Sequence, residues 1–310
     1  MSLFDELNAV ATGVEPEPET APLRYTDFLQ DTAIYRNLPM DYQPNPADFT
    51  IEALAAQPDM QWLSDMRFHL VQPRYADASA QMADLRNFCE NLKQAATYHT
   101  KETPRNNQFI ADDYNSPVIA IDFETTGLDT RLRYTYEGKL NNRTKIVGVV
   151  IAVSAFEAYY LPWRHTQSDG VPNWHEDTLV EFLELLNDTF AVIYHNGMYD
   201  REVATLSGVT NHRSFPYYFD TQILDYMIDV DRKVHGLKHI SALHLGRKMI
   251  KINSLFNNPD AAKADEGSIE FEKLPASVAL VYACVTGDTK LDVEVELPEG
   301  VSIEDVLKTL

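Results

Sequence analysis

Two acidic side chains at the end of an apolar run are the first residues in this chain that could do chemistry. The run Val118-Ile-Ala-Ile-Asp122 predicts a short buried strand, and Glu124 follows Asp122 by two residues. Because strand side chains alternate, both carboxylates point to one face while Phe123 turns into the core. Adjacent carboxylates repel each other, and their oxygens suit a hard cation such as Mg²⁺ or Mn²⁺. On its own, an Asp-x-Glu pair more often marks a solvated strand end.

A third carboxylate is expected at the end of a second strand. The apolar run Ala191–His195 leads into Asn196-Gly-Met-Tyr-Asp200, which places Asn196 and Asp200 four residues apart where a strand meets a helix. Helix capping is the structural alternative for Asp200, but it would not require Asn196 as well. The two strand ends can therefore bring three carboxylates together.

The net charge limits how the chain could meet a substrate. Its 310 residues include 26 Lys and Arg against 47 Asp and Glu, which gives a net charge of −21. Such a surface repels a phosphate backbone and excludes non-specific coating of nucleic acid, but carboxylates that hold divalent cations could still neutralise a scissile phosphate. No apolar stretch reaches the roughly 20 residues of a membrane span, and the acidic start is unlike a targeting signal. We therefore expect a cytoplasmic protein with no membrane partner.

The elements that must position these acids alternate between strand and helix over residues 116–283. Further strands are predicted at Ile146–Val153 and Phe156–Leu161. Helices are predicted around Leu179–Leu186, Tyr199–Leu206 and Thr221–Ile228, and from about Glu272 to at least Ala283, with Pro275 in the first turn. The alternation predicts a mixed α/β domain.

Residues 1–115 precede this domain as an N-terminal extension of unknown role. The first 25 or so are acidic and contain Pro, as in a flexible tail. One helix is clear, with Ser79 as its expected cap and an apolar face formed by Met82, Leu85, Phe88, Cys89 and Leu92. Cys89 is interpreted as a buried structural residue, and two cysteines in the whole chain are too few for a disulfide framework.

Together these segments resemble a known family, the 3′-5′ proofreading exonuclease domain of family A DNA polymerases (DNA polymerase I type). Ile-Asp122-Phe-Glu124-Thr125-Thr-Gly-Leu128-Asp is similar to its first motif, and His-Asn196-Gly-Met-Tyr-Asp200 to its second. Phe219-Asp220-Thr221, the Leu237 to Leu245 helix and the segment from Phe271 to Ala283 resemble the stretches that lead into the third. The resemblance covers about Pro117 to Ala283. It implies an RNase H-like (DnaQ-like) α/β fold of the DEDD class, a mixed sheet flanked by helices.

The resemblance also implies roles for the matched residues. Asp122, Glu124 and Asp200 would ligate two metal ions, Mg²⁺ or Mn²⁺, and Tyr282 would orient the attacking water. Thr125, Leu128 and Asn196 would contact or support the 3′-terminal nucleotide of single-stranded DNA. Two cations about 4 Å apart would supply a hydroxide and relieve the negative charge of the phosphate. Asp220, by contrast, is interpreted as a helix cap.

The third motif breaks after Tyr282. In this class an Asp follows the Tyr by four residues, one helical turn on, but here that position is Thr286. Asp288 would lie far around the helix and cannot substitute. The segment Cys284-Val-Thr-Gly-Asp-Thr-Lys resembles instead the opening of an intein, whose first residue is the splicing nucleophile. Residues 284–310 are too short for a whole intein, so the resemblance implies the N-terminal fragment of a split intein. A polymerase fragment with a degenerate tail is the alternative.

The combined interpretation is a polymerase fragment that lacks its last metal ligand. A complementary C-terminal intein–polymerase fragment would join Ala283 to the rest of the third motif through a thioester on Cys284. The acidic residues after Cys284 would attract a basic counterpart, and the alternation Leu291–Leu297 predicts a strand. We expect weak hydrolysis before splicing. Two alternatives stay open: an RNase D-like 3′-5′ exoribonuclease, and a non-catalytic degenerate exonuclease fold that binds nucleic acid or serves as a scaffold.

Overall fold

The apolar runs of the chain form the middle of a six-stranded sheet. The computed structural model describes residues 50–102, 117–128, 133–134, 140–141, 144–166, 169–210, 217–247, 249–250 and 270–292. The strands are β1 Arg67–Leu70, β2 Val118–Thr125, β3 Arg133–Tyr134, β4 Leu140–Asn141, β5 Ile146–Ser154, β6 Glu157–Pro162, β7 Ala191–Tyr194 and β8 Tyr217–Asp220. The order across the sheet is β1-β6-β5-β2-β7-β8, and β3 pairs with β4 separately. The strand that carries Asp122 and Glu124 thus lies at the centre.

The strand directions are mixed. β2 is antiparallel to β5 and parallel to β7, β5 is antiparallel to β6, and the outer pairs β1–β6 and β7–β8 are parallel. Parallel strands end at the same edge of a sheet, so the carboxyl ends of β2 and β7 lie together. The pairing of β2 with β7 stops at Ala120, opposite Ile193. Beyond Ala120, β2 overhangs its neighbour, and this overhang carries Asp122 and Glu124.

Helices cover both faces of the sheet. They are α1 Ile51–Ala55, α2 Ala78–Glu102, α3 Thr178–Thr189, α4 Gly197–Leu206, α5 Thr221–Ile228, α6 Leu237–Ile240 and α7 Ala276–Asp292. Ile119, Ile121 and Phe123 pack in one core with α2 and α3, whereas Val118 and Ala120 pack in the other with α7. Asp122 and Glu124 share the parity of Val118 and Ala120, so they belong to the face covered by α7, here called the α7 face. The predicted mixed α/β sheet with flanking helices is confirmed.

Most predicted elements are confirmed, with two corrected starts. Asp77, not Ser79, caps α2, because its Oδ2 accepts a hydrogen bond from the Ala80 N–H at 2.9 Å. The last helix begins at Ala276 instead of Glu272, since Phe271–Lys273 is a separate 3₁₀ turn and Pro275 disfavours the helical conformation of the residue before it. Cys89 is buried as expected, and burial raises the pKa of its thiol. In the described part of the chain, no helix is long and apolar enough to cross a membrane.

The two predicted boundaries, at 115/116 and 283/284, lie in different surroundings. Residues 1–49 and 103–116 are outside the described residues, whereas 50–102 contribute β1 to the sheet and α2 to the core. All described residues fall within one unit, Met40–Leu310. At the other boundary, α7 runs without interruption through the Ala283–Cys284 bond. Leu291, the first residue of the predicted C-terminal strand, is therefore helical, because the helix continues to Asp292; residues 293–310 lie outside the described residues.

Candidate active site

A carboxylate from α4, that of Asp200, bonds the part of β2 that extends beyond its pairing with β7. Asp200 is 3% exposed, and its Oδ1 accepts a hydrogen bond from the backbone N–H of Phe123 at 3.3 Å. Phe123 lies between Asp122 and Glu124, so this bond holds Asp200 beside both acids. The bond to the strand gives Asp200 a role other than helix capping, whereas the convergence of the three carboxylates on a metal stays a prediction.

The hydroxyl of Tyr199 bonds the end of β2, within range of the charges of the three acids. Its Oη is 2.7 Å from Thr125 Oγ1 and donates a hydrogen bond to the Gly127 carbonyl at 2.9 Å. Burial, with the negative charges of all three acids, raises the pKa of Tyr199 to about 12, against the lowering effect of its bond with Thr125. The hydroxyl therefore keeps its proton at neutral pH and can donate inside an acidic site. The contacts of Tyr199 were not predicted from the sequence, although its position directly before Asp200 could have indicated that it lies near the acids.

Asp220 builds the turn that carries Asn196. Its side chain accepts hydrogen bonds from the backbone N–H groups of Asn196 at 3.0 Å and Gly197 at 2.8 Å, and it caps α5 through the Gln222 N–H at 2.9 Å. Asn196 adopts φ 59° and ψ 45°, a left-handed conformation that Asn tolerates better than most residues. Gly197 has no room for a side chain, because a Cβ would lie 2.7 Å from that of Tyr194. The interpretation of Asp220 as a cap is confirmed, and its bonds to the second motif were missed.

The residues predicted to contact the terminal nucleotide lie at or beyond the carboxyl ends of β2 and β7. Thr125 ends β2 and is buried, whereas Leu128 is 57% exposed and Asn196 is exposed. Tyr282 lies on α7, which packs against β2, and its ring centroid is 5.9 Å from that of Phe271. Leu128 and Asn196 are thus accessible to a substrate at the edge where β2 and β7 end.

The course of α7 shows which position corresponds to the Asp expected in the third motif. Because the helix is continuous from Tyr282 to Thr286, these two positions lie one turn apart on the same side. Thr286 therefore stands where the motif has its Asp. Ala283 and Cys284 are fully buried between them, so the peptide bond that would be spliced lies inside a packed helix.

The donor atoms of the three acids are of the type that a hard divalent cation prefers. They supply only oxygen donors, which Mg²⁺ and Mn²⁺ prefer. Within the described ranges, however, no three His, Cys, Asp or Glu side chains form a cluster that could hold a metal ion as it stands. The charges of Asp122, Glu124 and Asp200 all act on Tyr199, but the three carboxylates do not converge on a single point. Their joint use as metal ligands, with a fourth acid missing, stays a prediction.

The family comparison decides what kind of domain this is. Residues 97–283, more than half of the chain, match a family model described as the 3′-5′ exonuclease of the DNA polymerase A type. The chain belongs to this 3′-5′ exonuclease family. The predicted exonuclease domain related to DNA polymerase I is therefore confirmed, as is its fold class. The match ends at Ala283, the residue before Cys284.

Individual relatives cover only parts of the chain. DNA polymerase I of Borreliella burgdorferi is 29% identical over 143 residues, which are 46% of this chain but only 14% of that polymerase. A solved structure of Brucella melitensis NrnC aligns at 21% identity with a TM-score of 0.37, over 58% of this chain and 71% of that chain. A second, NrnC with bound Mg²⁺, aligns at 20% identity with a TM-score of 0.35 over the same shares. The roles of the individual site residues and the split intein stay predictions.

Proposed function

We propose that this chain is the N-terminal part of a family A DNA polymerase and that its exonuclease domain removes nucleotides from the 3′ end of single-stranded DNA. The observation that carries the proposal is the bond from Phe123 to Asp200, which holds a third carboxylate beside Asp122 and Glu124. Family membership supports the reaction, and the similarity to a DNA polymerase I favours DNA over RNA as the substrate.

The proposed mechanism divides the work between metal ligands and substrate contacts. Asp122, Glu124 and Asp200 would hold the divalent cations, Mg²⁺ or Mn²⁺, and two bound cations would supply a hydroxide near neutral pH and neutralise the charge of the scissile phosphate. Tyr282 orients the attacking water, and Tyr199 holds the turn after β2 through its bonds with Thr125 and Gly127. Thr125, Leu128 and Asn196 contact the 3′-terminal nucleotide, with the exposed Leu128 offering an apolar surface to its base.

Protein trans-splicing at Ala283/Cys284 is the second part of the proposal. The Cys284 thiolate attacks the Ala283 carbonyl carbon, the C–N bond breaks, the Cys284 nitrogen takes up a proton, and the acyl group is held as a thioester. The complementary fragment then takes the acyl group onto its own nucleophile and supplies the missing Asp. The end of the family match at residue 283 supports this junction. Since the bond lies inside α7, the complementary fragment must first open the helix there.

Hydrolysis of 5′-labelled single-stranded DNA with Mg²⁺ tests the first part. We expect slow shortening from the 3′ end by the lone chain; full activity would contradict the missing-ligand argument. Faster hydrolysis of the matching RNA would assign an exoribonuclease instead.

Calorimetry with Mn²⁺ separates a catalytic from a non-catalytic fold, because no binding by the wild-type chain would mean that the acids hold no metal.

Adding the complementary fragment tests the second part. That fragment is the product of a reading frame that begins with the rest of an intein and continues into a polymerase. Splicing predicts a joined product by mass spectrometry and a large rise in hydrolysis. A mixture that never yields the joined product would refute splicing while leaving the exonuclease assignment intact.

A further inference from the structure

Tyr160 and His165 form a buried hydrogen-bonded pair on the α7 face. Tyr160 is fully buried and His165 is 7% exposed. The Tyr160 hydroxyl lies 2.6 Å from His165 Nε2, and His165 Nδ1 lies 2.6 Å from the Leu274 carbonyl oxygen. A carbonyl only accepts, so Nδ1 carries the proton, and Nε2 accepts from Tyr160. Burial lowers the pKa of His165 and raises that of Tyr160, which keeps both groups neutral in this arrangement.

One end of this pair lies beside Glu124. The Tyr160 ring covers Gly148 of β5 so closely that a Cβ at Gly148 would overlap it. Gly148 is paired directly opposite Glu124, and directly opposite residues of antiparallel strands point to the same face. In agreement, the charge of Glu124 contributes to the raised pKa of Tyr160. The ring therefore occupies the space next to the first-motif glutamate.

The other end of the pair holds the start of α7. Leu274 lies two residues before Ala276, the first residue of α7. Two further contacts come from the same stretch of chain after β6. The Thr166 N–H donates to the Glu272 carbonyl at 2.7 Å, and Asp169 Oδ2 accepts from the Ser277 N–H at 2.8 Å. Among the described residues, Glu272, Leu274 and Ser277 at the entry to α7 are each held by this stretch, and the His165 contact continues through Tyr160 to the sheet beside Glu124.

We propose that the Tyr160–His165 pair is a positioning unit that sets how closely α7 packs on the sheet. It thereby sets where Tyr282 and position 286 lie relative to Glu124. The inference rests on the proposed exonuclease function. Tyr282 lies six residues beyond Ala276, about 9 Å along the helix, so a shift at the helix entry is carried to it by a rigid element. A misplacement of about 1 Å at a catalytic site can cost up to roughly 100-fold in rate.

The test compares four substitutions in a Thr286→Asp chain, which has the full set of acids. Tyr160→Phe should lower kcat for single-stranded DNA by about fivefold to tenfold and leave KM within about twofold, because the nucleotide contacts lie on other elements. His165→Ala should lower kcat further, and His165→Asn, whose amide can still donate to Leu274, should recover about threefold of that loss. Tyr159→Phe is the matched control, since the Tyr159 hydroxyl bonds Glu157 and its ring packs in the opposite core. It should leave kcat unchanged.

Amide hydrogen exchange gives a readout that needs no catalysis. In Tyr160→Phe, amides 277–280 should exchange about fivefold faster while those of β2 keep the wild-type rate. Unchanged exchange at 277–280, or equally faster exchange throughout the chain, would overturn the positioning role. If the Thr286→Asp parent degrades neither DNA nor RNA with any divalent cation, the proposed function fails, whereas selective loosening of 277–280 would still support the anchoring of α7.

Discussion

At the scale of single residues, two buried aspartates at neighbouring strand ends serve different purposes. Asp220 is the last residue of β8 and accepts hydrogen bonds from the backbone N–H groups of Asn196, Gly197 and Gln222. Asp200 reaches across to β2 and accepts from Phe123. The first acid shapes a turn, whereas the second places charge beside other acids. Substitution of Asp220 should therefore lower stability, whereas substitution of Asp200 should lower the rate of hydrolysis.

Asp200→Asn should remove activity while keeping the fold. The amide oxygen can still accept from Phe123, but the negative charge that would ligate a cation is lost. We expect hydrolysis of single-stranded DNA to fall by at least about 100-fold with little change in Tm. Asp220→Asn should instead lower stability by roughly 1–3 kcal/mol, because an amide cannot replace a carboxylate that accepts several N–H groups. Asp231→Asn, at an exposed turn, is the control; equal activity losses in all three variants would contradict the division of roles.

Tyr199→Phe should slow the reaction without changing its pH dependence. Loss of one hydrogen-bond donor near Thr125 should reduce kcat by about tenfold, equivalent to roughly 1.4 kcal/mol. Since the pKa of Tyr199 is about 12, its hydroxyl stays protonated throughout the neutral range. Rates measured from about pH 6 to pH 9 should give parallel profiles for the two proteins. A profile that changes shape in the variant would mean that Tyr199 titrates during the reaction.

At the scale of elements, burial decides what could be predicted from local patterns. β2, β5 and β7 are covered on both faces, so they stand out as continuous apolar runs. β1 was missed because it is a four-residue edge strand whose side chains are exposed or half-buried. β8 was not predicted as a strand, since its strand character depends on pairing with β7.

The candidate site was predictable only where its residues are close in sequence. The spacing of Asp122 and Glu124, and of Asn196 and Asp200, was sufficient to predict two strand-end clusters. Contacts between distant segments were not predictable, because no local pattern specifies the register that joins them. The Phe123–Asp200 bond spans 77 residues, and the contact of His165 with the Leu274 carbonyl spans 109.

Thr286→Asp should raise the activity of the lone chain. The helix is continuous past Tyr282, so an Asp at 286 would restore the third-motif spacing on the same side of α7. One added carboxylate ligand could increase the Mg²⁺-dependent rate by about 10-fold or more. Gly287→Asp is the matched control, because it adds the same charge about 100° further around the helix. Equal rates in the two variants would mean that position 286 does not belong to the site.

At the scale of the whole molecule, one buried acid links stability to pH. Asp225 is 2% exposed and accepts hydrogen bonds from Arg232 at 2.7 Å, His235 at 2.7 Å and His244 at 3.1 Å. Although burial opposes it, the bonds from His244 and His235 lower the pKa of Asp225 below the ordinary 3.8. A lowered folded-state pKa contributes stability above the unfolded value, and that contribution is lost as the pH falls through the folded value.

Asp225→Asn should therefore be most harmful near neutral pH. Urea unfolding at about pH 7 should show a lower free energy of unfolding for the variant, by roughly 1–3 kcal/mol, and the difference should shrink below pH 3.8. Asp229→Asn is a suitable control, because Asp229 bonds the same Arg232 at a longer 3.4 Å with a half-exposed side chain. A difference that stays constant over the whole pH range would show that the carboxylate charge contributes nothing.

The net charge of −21 makes it worth testing whether divalent cations are needed for binding as well as for hydrolysis. An acidic surface repels single-stranded DNA at long range, so we expect cations at Asp122, Glu124 and Asp200 to supply much of the affinity. Fluorescence anisotropy with a labelled oligonucleotide at low temperature should show binding about tenfold tighter with Mg²⁺ than with EDTA and NaCl at equal ionic strength. Asp122→Asn should abolish that difference, whereas the exposed-turn control Asp231→Asn should keep it. Equal affinities with and without Mg²⁺ in the wild-type chain would place DNA binding elsewhere on the molecule and separate it from the three acids.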